Sequence, residues 1–235
     1  MDVAGAVALV TGGNRGFGAA LCAALVERGA AKVYAGARDV STVRTSGVEP
    51  VQLDITSTAD IAAAIERCDD VTLLINNAGI GTGTSVLADD AMAQLERELE
   101  TNVIGPLAMS RAFAPVLARN GGGAIVNVLS VLSWYSAPPS ALYCAAKAAS
   151  WSLTNSLRLE LLDQGTQVVA VHVGFMDTDM TAGLDVPKSS PVDVAGRVLD
   201  AVQAGEPEVL ADDVSRRVRA ALSGELADLY PALAS

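Results

Sequence analysis

Residues 6–18 read Ala-Val-Ala-Leu-Val-Thr-Gly-Gly-Asn-Arg-Gly-Phe-Gly. Up to Thr11 the run is almost continuously apolar, the pattern of a strand buried on both faces. Glycines follow at positions 12, 16 and 18. From about residue 16 to residue 28, Leu21, Ala24 and Leu25 share one helical face, and Gly29 marks the stop. Residues 32–37, Lys-Val-Tyr-Ala-Gly-Ala, read as the next strand, so the chain opens on a βαβ unit. Glycines let such a turn approach a bound group closely, and the free N–H groups of the following helix favour an anion there. The spacing Thr11-Gly12-x-x-x-Gly16-x-Gly18 differs from Gly-x-Gly-x-x-Gly and alone would also suit a plain packing turn. Its place at the first strand–helix junction favours dinucleotide binding, with Gly12, Asn14, Arg15, Gly16, Phe17 and Gly18 at the turn.

The second strand ends Ala37-Arg38-Asp39. A carboxylate at that point would hold the ribose 2′-hydroxyl of NAD, whereas an arginine accommodates the 2′-phosphate of NADP. Ala37 takes the strand-end position, and Arg15 and Arg38 offer two guanidiniums, so NADP(H) is expected in preference to NAD(H). Asp39 leaves open the alternative that it reaches the ribose. Residues 51–54 read as a third strand whose end, Asp54 with Ile55 after it, could touch the adenine side.

The rest continues the alternation. A helix over 59–67 is capped by Ser57 or Thr58, and a strand over 71–75 ends in Asn76-Asn77-Ala78-Gly79. A polar loop covers 80–84. A long helix from about 89 to 117 holds Asn102, Gly105 and Pro106, which predict a kink. Alone, Asn102 reads as an ordinary exposed or back-bonded helix residue. A strand over 123–130 ends in Ser130, and a helix over 140–162 follows. Its first turns carry Tyr143 and Lys147, four apart and hence about 5–6 Å apart at Cβ. A nearby ammonium stabilises a phenolate and would lower the Tyr pKa, giving an acid/base group usable near neutrality. Alone, such a pair is common on helices. His172 lies inside a strand over 166–173 and reads as a core histidine, and a loop spans 174–180. A helix over 191–204, a short strand over 208–211 and a surface helix over 212–222 complete the pattern. The fold class is a three-layer α/β, Rossmann-type doubly wound, mainly parallel sheet. A single domain over 1–235 is expected, with a substrate lid at about 175–205.

The chain has 235 residues, 51% hydrophobic and 18% charged, and a formal net charge of -11. Such acidity disfavours nucleic acid or an anionic membrane as partner. Cys22, Cys68, Cys144 and the lone His172 have no metal-ligand spacing, so no metal is expected. Reduced thiols, no apparent signal peptide and no apolar run of spanning length together suggest a cytoplasmic protein.

The motifs at 11–18 and 76–79, with Asn102, Ser130 and Tyr143-x-x-x-Lys147, occur in an order that resembles the short-chain dehydrogenase/reductase family, in its compact branch, over about residues 7–180. The resemblance implies roles. Tyr143 would be the general acid/base, and Lys147 its pKa-lowering partner and a ligand of the nicotinamide ribose. Ser130 would orient the substrate oxygen, and Asn102 would hold a water linking Lys147 to solvent. Asn77, Ala78 and Gly79 would line the cofactor. So would Gly174, Met176 and Thr178, in a loop that resembles the family's Pro-Gly-x-x-x-Thr with Val173 in place of Pro. The implied reaction is reversible reduction of a carbonyl to an alcohol. Ser130, Leu132, Trp134, Tyr135, Phe175 and Met180, with Met176 and Leu184, would meet the substrate, and their apolar character favours a hydrophobic ketone or aldehyde. The long helices around Asn102 and Trp151 could form a homodimer contact. The competing readings are another reaction on this fold, such as epimerisation or dehalogenation, and an NADP-binding sensor without turnover. The complete set of Asn102, Ser130, Tyr143 and Lys147 favours an enzyme.

Overall fold

In the computed structural model, which describes residues 1–138 and 140–233, the strands β1 (Val7–Thr11), β2 (Lys32–Ala37), β3 (Glu49–Gln52), β4 (Leu73–Asn76), β5 (Gly123–Val128), β6 (Thr166–His172) and β7 (Glu208–Leu210) form one sheet. Its order is β3-β2-β1-β4-β5-β6-β7, and every pairing is parallel. From β1 the chain winds outward through β2 and β3, then crosses back to β4. The order therefore reverses between β1 and β4, and ligands bind outside the carboxyl ends of strands at such a point.

The helices are α1 (Gly16–Glu27), α2 (Thr58–Arg67), α3 (Ala91–Leu99), α4 (Gly105–Arg119), α5 (Ala141–Glu160), α6 (Pro191–Ala204), α7 (Asp213–Ala221) and the short α8 (Leu226–Leu229). They cover both faces, and strand alternation divides the core accordingly. Ala8 and Val10 pack with Leu21, Leu25, Val198 and Leu199 from α1 and α6, while Leu9 packs with Met109, Phe113 and Leu117 from α4.

The structure shifts some expected boundaries. β3 begins at Glu49 and includes Pro50. It pairs only with β2, and a sheet edge tolerates a residue without an N–H. The expected kink is a π-helical segment, Glu100–Ile104, inserted between α3 and α4. β5 ends at Val128, and Ser130 instead caps a 3-10 turn over Val131–Ser133. Within the 175–205 segment where a lid is expected, α6 buries Val194, Val198, Leu199 and Val202 in the core against α1.

Candidate active site

The glycine turn is shaped by contacts that other residues could not make. A β-carbon on Gly18 would lie 2.0 Å from the Gly12 carbonyl oxygen, so the start of α1 can approach β1 only as glycine. Gly12 and Gly16 have φ of +64° and +51°, the left-handed region. A β-carbon on Gly16 would meet nothing nearer than Thr178, at 3.5 Å. Thr11 ties this turn to the next one. Its Oγ1 accepts from the Asn77 and Ala78 N–H groups, each at 3.0 Å. Asn77 Nδ2 in turn donates to the carbonyls of Thr11 (2.9 Å) and Gly12 (3.3 Å). The two turns on either side of the switch point are thus one hydrogen-bonded unit.

Around that unit, Asn14 Nδ2 donates to Thr42 Oγ1 at 2.9 Å, and Arg15 pairs with Asp179 at 3.2 Å, both side chains largely exposed. Arg38 is exposed, and among the described residues it forms no ion pair. Asp39 turns into its own 3-10 turn, where its Oδ1 accepts from Ser41 N at 2.9 Å and Ser41 Oγ at 2.7 Å. That engages Oδ1 of the carboxylate that was the alternative ligand of the ribose. Two exposed guanidiniums beside a glycine cradle fit a phosphorylated dinucleotide. Asp54 is bent into a turn with Thr56, while the side chains of Phe17 and Ile55 are buried, leaving only their backbone for a cofactor.

Tyr143 and Lys147 lie on the first turns of α5. Lys147 is 5% exposed, its Nζ donates to the Val128 carbonyl at 2.9 Å, and it stands 5.5 Å from the Tyr143 ring centre. Burial draws the Lys147 ammonium down to about 8, with the Glu98 carboxylate working in the opposite direction. Burial, then Glu98, pushes the Tyr143 phenol up, while the Ser130 hydroxyl works against them. Burial and Glu98 thus act against the lowering of Tyr143 expected from Lys147. Tyr143 is held as a neutral phenol, the form that can donate a proton.

Asn102 is placed by the π segment, whose widened turn directs it inward. Its Oδ1 accepts from Ile80 N at 3.0 Å, and its Nδ2 donates to Ile80 O at 2.9 Å and Glu98 Oε2 at 2.5 Å. Its backbone carbonyl accepts from Ser150 Oγ at 2.7 Å. A cavity of about 20 Å³, lined by Asn76, Asn102, Asn127, Lys147 and Thr154 among others, lies beside it. That is room for about one water, and the buried Asn76 Oδ1 beside it lacks a protein partner.

On the substrate side, Ser130 is 6% exposed and its Oγ accepts from Leu132 N at 3.1 Å, which leaves its own hydrogen to donate. Leu132 is half-buried, and Phe175 and Met180 are 44% and 59% exposed. A β-carbon on Gly81 would lie 3.8 Å from Tyr143 Cδ2 and 3.9 Å from Met180 Sδ, so Gly81 lies between the Tyr143 ring and Met180. Trp134, expected to meet the substrate, is largely covered by its neighbours. It stacks on His172 with ring centroids 3.7 Å apart, meets Trp151 edge-on, and is 9% exposed. Tyr135 stays at the surface layer, edge-on to Tyr230, whose hydroxyl accepts from Ser136 N at 2.8 Å.

The loop after β6 is braced from the C-terminal part of the chain. Gly174 N donates to Asp212 Oδ2 at 2.7 Å, and the Val173 carbonyl accepts from Val131 N at 2.9 Å. This anchoring supplies what a proline at 173 would otherwise stiffen. Met176 is buried, and Thr178 stands at the N-cap position of the 3-10 turn Asp179–Thr181 without a capping bond from its side chain. Glu98, Asp212 and Tyr230 were not among the expected site residues. Only the capping pattern Asp212-x-x-Ser215 offered a local signal. Among the described residues, no cluster of His, Cys, Asp or Glu could hold a metal ion, and no helix is long and apolar enough to cross a membrane.

The family profile described as short chain dehydrogenase matches residues 6–188. The chain belongs to that family and is a short-chain dehydrogenase/reductase oxidoreductase. A short chain dehydrogenase from Burkholderia cenocepacia, solved in complex with NADP, is 39% identical over the whole of both chains, with a TM-score of 0.94. A 3alpha-hydroxysteroid dehydrogenase from Mediterraneibacter gnavus is 34% identical, covering 88% of this chain and 86% of its own. An NADP-dependent 3-hydroxy acid dehydrogenase from Schizosaccharomyces pombe is 29% identical, covering 88% and 91%.

Proposed function

We propose that this chain catalyses the reversible, NADPH-dependent reduction of a hydrophobic ketone or aldehyde to an alcohol, with Tyr143 as general acid/base. The observation that carries the proposal is the buried Lys147 ammonium 5.5 Å from the Tyr143 ring, with Ser130 from the adjoining strand end. Ser130 Oγ–H and Tyr143 Oη–H donate to the substrate oxygen and fix its position. NADPH, when bound, supplies the hydride. Tyr143 gives its proton to the oxygen, and Lys147 stabilises the phenolate left behind. Gly12, Gly16, Gly18, Asn77, Ala78 and Gly79 would cradle the cofactor, Arg15 and Arg38 its 2′-phosphate, and Gly174, Met176 and Thr178 its nicotinamide side.

The substrate class rests on the apolar side chains of Leu132, Tyr135, Phe175, Met180 and Leu184, with no basic cluster among them. The hydroxysteroid dehydrogenase relative supports an alcohol–ketone pair on an apolar molecule. The test is Tyr143→Phe. It should bind NADPH as the wild type does and lose at least about 100-fold in turnover, the span assigned to a positioned proton donor. A screen of ketones and aldehydes with NADPH and NADH supplies the substrate; an active Tyr143→Phe enzyme would sink the mechanism. We extend the proposal to a homodimer through the long helices, supported by the exposure of Ile104, Leu159 and Leu162. Light scattering should return twice the chain mass, and a monomer would overturn it.

A further inference from the structure

Glu98 sits on α3 within the run Leu-Glu-Arg-Glu-Leu-Glu, yet it is 0% exposed. Both carboxylate oxygens are engaged: Oε1 accepts from Thr82 N at 2.7 Å and Oε2 from Asn102 Nδ2 at 2.5 Å. A carboxylate accepting two N–H bonds suits its ionised form. We propose that Glu98 is a positioning residue of the reaction, clamping the 80–82 loop to Asn102 and standing as the fixed counter-charge of the Lys147 ammonium. This rests on the proposed roles of Tyr143 and Lys147.

The clamp follows from the geometry. Asn102 holds Ile80 by both its N–H and its carbonyl, and Glu98 holds Asn102 and Thr82 together. Between them lies Gly81, which flanks Tyr143. A β-carbon on Gly79 would meet Asn102 Oδ1 at 2.8 Å and Lys147 Nζ at 3.8 Å, so the ammonium and the Asn102–Glu98 pair pack round one turn of chain. The titratable groups facing this point are Tyr143, Cys144 and Lys147 on α5, and the charge of Glu98 acts on all three. From β6, His172 feels Lys147. Lys147 itself hydrogen-bonds a carbonyl rather than a carboxylate, so Glu98 is the negative charge that offsets its burial.

Lys32, Lys147 and Lys188 are the lysines of the chain, so a 13C-lysine NMR titration of the full-length protein resolves Lys147. In Glu98→Gln the Lys147 midpoint should fall by about one unit, the usual effect of removing a close opposite charge. Amide exchange at Thr82 should also quicken. In Glu98→Asp, which keeps the charge but shortens the reach, Thr82 exchange should quicken while the Lys147 midpoint moves much less. An unmoved midpoint in Glu98→Gln overturns the counter-charge, since a merely structural role would change exchange alone. Unchanged Thr82 exchange in either variant overturns the clamp, so Glu98→Asp decides that part even where Glu98→Gln fails to fold. None of these readouts needs turnover, so they stand or fall apart from Tyr143→Phe.

Discussion

At Arg38 a single side chain should decide between two cofactors. It follows the buried Ala37, it is exposed, and the neighbouring Asp39 is committed to Ser41. A hydrogen bond to a charged group contributes about 1.5–3 kcal/mol, or roughly 10–100-fold in affinity. Arg38→Asp should therefore lower kcat/KM for NADPH by about that factor and shift preference toward NADH. Unchanged preference would mean that Arg38 does not hold the phosphate. Gly18 makes a different kind of demand. Its absent β-carbon would sit 2.0 Å from a backbone oxygen, which cannot swing aside as a side chain can, whereas at Gly16 a β-carbon would make only ordinary contact with the Thr178 side chain. Gly18→Ala should lower the melting temperature far more than Gly16→Ala, whose cost is about 1–2 kcal/mol for the left-handed backbone. Equal losses would refute the close approach of α1 to β1. Glycines and the Tyr–Lys spacing were legible because their chemistry is local. Glu98 was not: amid charged neighbours it reads as part of a solvated helix face, and only the packing of α3 against α5 and the 80–82 loop turns it inward.

The same divide between local and tertiary causes holds for the elements. α6 was legible to the residue because its signals are local: Ser190 caps it through Asp193 N, Pro191 starts it, and Gly205 ends it at φ +75°. β3 was misplaced by two residues because its register is set by β2, and a proline at its second position argues locally against a strand. The kink at Asn102 was legible from Gly105 and Pro106, but the π form was not, and the Asn102 carbonyl within it meets a partner from another helix. Ser150 on α5 is that partner, donating to the Asn102 carbonyl at 2.7 Å. Ser150→Ala leaves this buried acceptor without its bond, and such a loss costs about 1–3 kcal/mol. Urea denaturation should register it, whereas Ser156→Ala, on an exposed turn of the same helix, should stay within about 0.5 kcal/mol. Equal effects would show that Ser150 does not stabilise the π segment.

Across the whole molecule, the parallel sheet carries polar groups to its carboxyl edge and leaves one ionisable ring, His172, at the end of β6. The ring is 0% exposed, stacked on Trp134, with its Nδ1 at 3.2 Å from the Ser130 carbonyl. Its Nε2 faces Glu208 at 3.6 Å and has no hydrogen-bond partner. Burial draws its pKa from 6.5 down to about 4; the Ser130 carbonyl resists, and Arg219, Arg158 and Lys147 add to the fall. Between those two values the unfolded chain holds a proton that the folded chain refuses. Unfolding then takes up protons, so stability is whole above about 6.5 and declines as pH falls toward 4. The total is on the order of 3 kcal/mol for a shift of this size. Carboxylates held low, such as Asp60 and Asp70, start from 3.8 and act only beneath this window. Urea midpoints for the wild type should therefore drop between pH 7 and pH 4.5. For His172→Gln, referred to its own value at pH 7, the drop should be much smaller. A parallel decline in both proteins would show that the acid sensitivity of this fold does not come from the histidine behind Ser130.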